Sequence, residues 1–241
     1  MRLYGKNPVI ERLRANPKSI RKITLQRGLS EATIIGKKAR QWGIPVRVVE
    51  KSKILKMTRN SNAQGVIIDI DDPEYVAYDE LLEYALKKKR VLVFLDELND
   101  PQNLGAIIRS LGCLGHFSLV LPTHKSVKIT EAVLRVASGG ENYVQFGIVS
   151  NLNKAIRQAK DEGFHIAGTV VEGGEPLDAV DLPFPLGVVI GSEQKGIRDV
   201  TKKVLDVRIS IPMHVNTVTF NAAAAASIIC YEITKQRRQK K

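Results

Sequence analysis

The spacing of hydrophobic positions changes near residue 91. From there on, short apolar runs alternate with segments whose apolar residues recur at helical spacing. The runs predict strands at 91–96, 117–121, 143–149, 165–171, 186–191 and 206–211, and the segments between and after them predict helices at about 104–114, 130–137, 151–162, 196–204 and 220–236. Strands rich in Val and Ile that alternate with helices are typical of a parallel sheet covered on both faces. We therefore predict an α/β fold for this part of the chain.

The pattern of residues 1–70 predicts a smaller α/β unit. Its helices are expected at 7–13, 31–42 and 52–57, and its strands at 22–26, 45–49 and 65–70. Ser30 and Ser52 are expected to cap the second and third helices, and Gly43 is expected to end the second.

The two units are expected to be separate domains. Residues 71–78 are acidic, contain Pro73 and show no clean period, so we expect an interdomain linker there. A helix capped by Asp79 then opens the larger domain, which would span residues 79–241.

Charge separates the same two parts of the chain. The formal net charge is +12, and residues 1–70 hold sixteen Lys and Arg against four Asp and Glu, whereas residues 71–241 hold twenty-one of each. Such an excess indicates a unit that faces a polyanion, although basic helices are often only solvated surfaces. Tyr4 and Trp42 are the only aromatic residues of this unit, so contacts from Lys and Arg to RNA phosphates fit better than base stacking. We do not expect the partner to be an anionic membrane, because the pattern of these residues predicts no strongly amphipathic basic helix.

Composition argues against several classes of site. Cys113 and Cys230 form no CxxC pair and are expected to be buried free thiols, and the four histidines lack ligand spacing, so no metal site is expected. No GxGxxG or P-loop pattern follows a strand, which argues against an ordinary nucleotide site. We expect a cytoplasmic protein, because no secretory segment and no apolar run of membrane-spanning length occurs.

Three segments carry candidate chemistry. In the first, residues 95–112, Asn103 is expected to cap a helix whose apolar face Arg109 interrupts, and both side chains could point to the carboxyl end of the sheet, where ligands bind. The alternative is a capped helix with a solvated arginine. The second is the turn after strand 186–191, where Ser192 and Glu193 are either site residues or only a helix cap and a first-turn acid.

The third segment is a strand that ends in Pro212, followed by the polar turn 214–219 and a helix with five consecutive alanines. Together, residues 103–109, 190–197 and 211–221 resemble, in order and spacing, the three motifs of the SpoU/TrmH branch of the SPOUT RNA 2′-O-ribose methyltransferases. The resemblance covers residues 90–235. Residues 4–11 and 62–66 resemble parts of the ribosomal-protein-like domain of RlmB-type enzymes, which act on a guanosine of 23S ribosomal RNA.

This resemblance implies a fold, a cofactor and an assembly. The implied fold is a SPOUT domain with a deep trefoil knot, preceded by a small RNA-binding α/β domain. The implied cofactor is S-adenosylmethionine, and the implied assembly is a homodimer with the active site at its interface. Small side chains in the alanine-rich helix at 221–229 suit a tight knot and a close interface.

The resemblance also assigns residue roles. The expected catalytic residues are Asn103, Arg109, Glu193, Thr219 and Asn221, and the expected cofactor-binding residues are Thr169, Gly191, Ile211 and Phe220. Asn103 and Glu193 would orient Arg109, which we interpret first as a clamp on phosphate and hydroxyl, because a guanidinium is a poor base. Val215, Thr219 and Ala223 depart from the third motif, which usually has Gly, Ser and Ser at these positions.

Several functions remain open. Methylation of ribosomal RNA is favoured by the basic first 70 residues, with the same chemistry on transfer RNA as the alternative. A ribosomal-RNA enzyme that confers antibiotic resistance has a similar two-domain plan. The non-enzymatic alternative is an RNA-binding ribosome-assembly protein that has lost catalysis, although Asn103, Arg109, Glu193 and Asn221 are all retained.

Overall fold

The computed structural model describes residues 1–59, 63–215 and 218–240, so Asn62 of the segment 62–66 and residues 216 and 217 of the turn 214–219 lie outside the described residues. The first sheet has the strand order β1-β4-β2-β3, with β2 and β3 parallel and the other pairs antiparallel. Its strands are β1 (Arg2–Tyr4), β2 (Ile20–Gln26), β3 (Val46–Val49) and β4 (Val66–Ile70). Its helices are α1 (Lys6–Ala15), α2 (Ala32–Gln41) and α3 (Lys51–Met57).

The second sheet is larger, and every strand pair in its described part is parallel. Its strands are β5 (Tyr75–Val76), β6 (Val91–Asp96), β7 (Phe117–Pro122), β8 (Gln145–Val149), β9 (His165–Thr169), β10 (Glu175–Pro176), β11 (Leu186–Gly191) and β12 (Val207–Ser210). They lie in the order β10-β12-β9-β11-β6-β7-β8-β5. The predicted parallel α/β sheet is confirmed.

Helices cover both faces of this sheet. They are α4 (Tyr78–Lys87), α5 (Pro101–Leu114), α6 (Glu131–Ala137), α7 (Leu152–Asp161), α8 (Asp199–Lys202) and α9 (Ala222–Gln239). Side chains alternate along a strand, so Val91 and Val93 of β6 pack with α5, α6 and α9, whereas Leu92 and Phe94 pack with α4 and α7. The uninterrupted apolar runs in the sequence therefore correctly predicted strands that are buried on both faces.

One face of the small sheet has a small cluster of its own, formed by Val49, Ile54, Ala63 and Ile67, whereas the other face shares the core of the large sheet. Leu3, Val9 and Leu13 belong to the same continuous cluster of buried side chains as Leu104 and Val133, which lie on α5 and α6. The first residues of the chain are thus packed against the helices that follow β6 and β7.

The segment expected to be a linker is partly regular structure. Within residues 71–78, β5 pairs with β8 at the edge of the large sheet, and α4 already begins at Tyr78. Asp79 is therefore not the cap, because Ala77 precedes the helix and Asp79 lies in its first turn.

Two further predicted caps are wrong. Ser30 Oγ donates to the carboxylate of Glu31 and not to the backbone of α2, and Ser52 lies inside α3, which begins one residue earlier. Gly43, in contrast, follows α2 with φ +66°, as its predicted role at the helix end requires.

The two cysteines differ. Both are free, but Cys113 is exposed, contrary to expectation, because it lies on the face of α5 turned away from the sheet. Cys230 lies on the buried face of α9, and burial raises the pKa of its thiol to about 12. No helix within the described ranges is long and apolar enough to span a membrane.

Candidate active site

A cavity of about 620 Å³ opens at the carboxyl ends of β9, β11 and β12. We call it the carboxyl-end cavity. Six of the nine predicted site residues line it: Thr169, Gly191, Glu193, Ile211, Thr219 and Phe220. Its apolar wall is formed by Ile190, Ile209, Met213, Ala222, Ala225 and Ile229. The structure therefore brings parts of the second and third motifs together around one concave surface.

The turn after β11 forms the rim of this cavity. Ser192 and Gly196 close it with two backbone hydrogen bonds, of 3.2 and 2.9 Å. A Cβ atom on Gly191 would lie 2.1 Å from the carbonyl carbon of Gly196, so only glycine fits at residue 191. Ser192 Oγ accepts from the Lys195 amide within the turn. Ser192 is thus not a helix cap, and the helix expected at 196–204 is reduced to α8.

Asn103 joins the first motif to this turn. Its side-chain amide donates to the carboxylate of Glu193, and Asn103 itself is buried. It does not cap α5 as expected. Pro101 starts the helix earlier, and Asp100 is the cap, with Oδ1 accepting from the Gln102 amide at 2.9 Å. Asn103 consequently lies in the first turn, where its side chain is free to reach Glu193.

Arg109 lies elsewhere on α5. Residues six apart are rotated by about 120° around a helix, so Arg109 and Asn103 face different directions. Arg109 is exposed and does not line the carboxyl-end cavity, and its side chain forms no hydrogen bond or ion pair with any described residue. Within one chain, neither Asn103 nor Glu193 contacts it.

Sequence reasoning missed an ion pair beneath the same turn, formed by a buried aspartate and a half-buried arginine. Asp96 ends β6 and is fully buried, and its carboxylate accepts from Arg198 Nε at 2.7 Å and from the Arg198 amide at 3.0 Å. Gly191 is the register partner of Asp96 in the sheet, so this pair anchors the segment that follows the turn. The signal was an Asp at the end of an otherwise apolar strand, since a buried carboxylate needs a cationic partner.

The third motif ends in a helix start. Asn221 caps α9, with Oδ1 accepting from the Ala224 amide at 2.8 Å, and it does not line the carboxyl-end cavity. Ala222, Ala223 and Ala226 are buried, which lets α9 approach α5 closely. Ser227 Oγ lies 2.7 Å from Ser110 Oγ across this helix pair.

Val215 replaces a glycine of the usual motif, and its β-branched side chain would be strained if the loop required a positive φ at this position. It is not among the described non-glycine residues with positive φ. The loop therefore accommodates valine without left-handed backbone at this position.

Charged groups surround the mouth of the carboxyl-end cavity. Three cationic side chains line it, those of Lys195, Lys202 and Arg208. Two carboxylates also line it, those of Glu172 and Glu193. Lys202 Nζ hydrogen-bonds Asp199 at 3.0 Å, and this bond lowers the pKa of the Asp199 carboxyl. Across the described part of the chain, no cluster of His, Cys, Asp and Glu side chains is arranged to hold a metal ion.

Family models match both parts of the chain. Residues 90–231 match the model of the SpoU rRNA Methylase family, and residues 2–76 match a model described as RNA 2′-O ribose methyltransferase substrate binding. A putative TrmH family tRNA/rRNA methyltransferase of Staphylococcus epidermidis is 37% identical over 227 residues, which are 92% of this chain and 90% of that protein.

Two solved structures share the fold. The AdoMet-bound rRNA methyltransferase of Sinorhizobium meliloti superposes with a TM-score of 0.80 at 22% identity, over 99% of this chain and 87% of that chain. The SpoU methyltransferase AviRb of Streptomyces viridochromogenes, in complex with AdoMet, gives a TM-score of 0.78 at 21% identity, over 99% and 90%. With the second and third motifs at one cavity, the first motif joined to it through Asn103 and Glu193, and a family model matched over residues 90–231, the chain belongs to the SpoU rRNA methylase family.

Proposed function

We propose that this protein transfers a methyl group from S-adenosylmethionine to a ribose 2′-oxygen of RNA. The observation that carries the proposal is the carboxyl-end cavity, which gathers every predicted cofactor residue beside the turn that Asn103 links to α5. Parallel α/β sheets bind ligands at this edge.

The carboxyl-end cavity suits S-adenosylmethionine in size and in chemistry. Its volume lies within the roughly 300–1,000 Å³ that small-molecule sites occupy. Ile211 and Phe220 offer apolar surface for an adenine ring, and Thr169 and the backbone at Gly191 offer polar groups for the remainder. The bound cofactor would supply an electrophilic sulfonium methyl group.

The other site residues position the RNA. Arg109 would hold a substrate phosphate and the 2′-hydroxyl, and the hydroxyl proton would pass to that phosphate, because the guanidinium itself stays protonated. Glu193 and Asn103 keep the cavity rim in register with α5, which carries Arg109. Thr219 and Asn221 would hold the ribose or the cofactor.

We further propose a homodimer in which a second copy of the chain completes the site. Three features support it: Arg109 is exposed and has no partner among the described residues of its own chain, Phe220 at the cavity is 47% exposed, and Val215 and Val218 beside it are also exposed. The close packing of the α9 alanines on α5 supports the deep trefoil knot that the family resemblance implies.

Ribosomal RNA, with a guanosine of 23S RNA as the target, is the substrate we favour. The positive charge of residues 1–70 and their match to a substrate-binding model support a dedicated RNA-delivering domain, with residues 79–241 as the methyltransferase domain. Transfer RNA is the alternative substrate. An inactive ribosome-assembly protein is the alternative function, and it would bind RNA without transferring methyl groups.

Mapping of 2′-O-methylation separates these alternatives. Ribosomal and transfer RNA from cells with and without the gene should differ at one ribosomal nucleotide, and the purified protein with S-adenosylmethionine should restore that methyl group. A difference confined to transfer RNA would reverse the choice of substrate. If no RNA differs and calorimetry detects no S-adenosylmethionine binding, the enzymatic proposal is wrong.

A further inference from the structure

A second cavity, of about 660 Å³, lies between the small sheet and α6. We call it the seam cleft. Residues of both units line it, among them Arg2, Arg21, Arg59 and Asp69 from the first 70 residues and Glu131 and Arg135 from α6. It shares no lining residue with the carboxyl-end cavity. The motifs discussed above do not account for it.

Both carboxylates in the seam cleft already have donors. Asp69 accepts from Arg2 Nε at 2.9 Å and lies 3.3 Å from Lys22 Nζ. Glu131 accepts from the backbone amide of Arg2 at 2.6 Å. These contacts hold the two acids on the walls. Arg2 and Lys22 neutralise Asp69, whereas the hydrogen bond from an amide leaves Glu131 its negative charge, which the two arginines described next outnumber.

Two arginines of the cleft have no acidic partner. Arg59 is exposed, and neither Arg59 nor Arg135 forms an ion pair with any described residue. The Arg135 guanidinium lies 5.0 Å from the centroid of the Tyr4 ring, an arrangement that fixes its position without neutralising its charge. One unpaired cation thus comes from each unit, and both face the same cleft.

Helix α6, which lines the seam cleft, packs on the helix that carries Arg109. A Cβ atom on Gly105 would lie 2.5 Å from Val136 Cβ and 2.7 Å from the Val133 carbonyl oxygen. Helix α6 therefore rests directly on the backbone of α5, between Asn103 and Arg109 in sequence. A ligand held by Arg135 would be one helix away from the candidate catalytic residues.

We propose that the seam cleft binds the phosphodiester backbone of the substrate RNA, with Arg59 and Arg135 as contacts from the two units. Arginine matches phosphate oxygens with paired N–H donors, and a charged strand is the occupant that two unpaired guanidiniums favour. The cleft would anchor the RNA against α6, one helix away from α5, while the carboxyl-end cavity binds the cofactor. This inference rests on the proposed function, since it takes RNA as the substrate.

The test measures RNA binding by the full-length protein without requiring turnover. The probe is ribosomal RNA purified from cells that lack the gene, and the variants are R59Q, R135Q and the double variant. Loss of one phosphate contact lowers the slope of log K against log salt by about 1, so the double variant should lower it by about 2. The matched control is K154Q/R157Q on the exposed face of α7, which should leave the slope and the affinity unchanged.

Each outcome decides the question. A slope reduced in the cleft variants and unchanged in the α7 control, with unchanged S-adenosylmethionine affinity, supports the cleft. An unchanged slope, or an equal loss in the α7 control, overturns it even if the wild-type protein methylates RNA. Failure of the wild-type protein to bind the cofactor would count against the proposed function instead, and the salt dependence of RNA binding would still report on the cleft.

Discussion

Arg12 and Glu141 form a buried ion pair that joins the start of the chain to the methyltransferase part. The Arg12 guanidinium lies 3.0 Å from Glu141 Oε1, and the side chains are only 7% and 3% exposed. Burial lowers the pKa of Arg12 and raises that of Glu141, while the pair opposes both shifts. Glu141 also accepts from the Gly139 amide, so the pair fixes the turn that contacts α5.

Removal of one partner should be costly. Arg12→Ala leaves a buried carboxylate without its cation, and we expect the free energy of unfolding to fall by about 3–5 kcal/mol in urea denaturation. Arg14→Ala on the exposed side of α1 is the control and should change it by less than about 0.5 kcal/mol. Equal stability of the two variants would show that the pair is not buried in solution.

Gly140→Ala should disturb α5 at Arg109. The added Cβ would lie 2.8 Å from Arg109 Cα and 3.0 Å from the Ile108 carbonyl oxygen, so helix or turn must move. We expect a loss of about 1–3 kcal/mol in stability, together with reduced methyl transfer. Gly36→Ala on α2, where a Cβ meets nothing within 4 Å, should instead stabilise the protein slightly. Identical melting temperatures for the two variants would contradict this packing.

Asn103→Asp should open the rim of the carboxyl-end cavity. The substitution places a carboxylate against that of Glu193, and like charges in contact repel. Calorimetry should show S-adenosylmethionine affinity reduced by roughly tenfold, which corresponds to about 1.4 kcal/mol. Gln102→Ala, one residue earlier and exposed, should bind the cofactor as the wild type does. Unchanged affinity in N103D would show that Asn103 does not support the cofactor site.

Arg109→Ala should separate cofactor binding from catalysis. Arg109 does not line the carboxyl-end cavity, so S-adenosylmethionine affinity should persist, while methyl transfer should fall by about 10²-fold as the RNA loses its positioning. Arg157→Ala on α7 serves as the exposed-arginine control for single-turnover assays. Methyl transfer at the wild-type rate in R109A would refute the role we propose for Arg109.

The ion pair between Lys6 and Glu31 predicts a dependence of stability on pH. The hydrogen bond from Lys6 lowers the pKa of Glu31 to about 2, against about 4.3 for a free glutamate. A depressed carboxyl pKa stabilises the folded state above the unfolded value, and this stabilisation is lost as the pH falls towards 2. The difference in unfolding free energy between wild type and Glu31→Gln should therefore be constant above about pH 5 and shrink below it. A difference independent of pH would show that Lys6 does not hold Glu31.

Element type was predictable where burial dictates the pattern. The fully apolar stretch that begins at Val91 correctly predicted a strand covered on both faces. The apolar run before Gly191 predicted a second such strand. Helix starts were less predictable. Ser30, Ser52, Asp79 and Asn103 all have side chains suited to capping, yet Glu31, Glu50, Ala77 and Asp100 hold those positions. Among these four, only Asp100 caps its helix with a side chain, so a residue suited to capping does not by itself locate a helix start.

The sequence by itself determined the parallel α/β architecture, the confinement of positive charge to residues 1–70 and the identity of the motif residues. These properties depend on residues close together in the sequence, because apolar runs, charges and short motif spacings are all local patterns. Only the tertiary structure decided that Asn103 donates to Glu193 and that Asp96 accepts from Arg198. It also decided that Arg109 contacts neither Asn103 nor Glu193, and that Arg12 joins α1 to the rest of the chain. These partners are between 90 and 129 residues apart, and no local pattern encodes which distant side chain will satisfy a buried polar group.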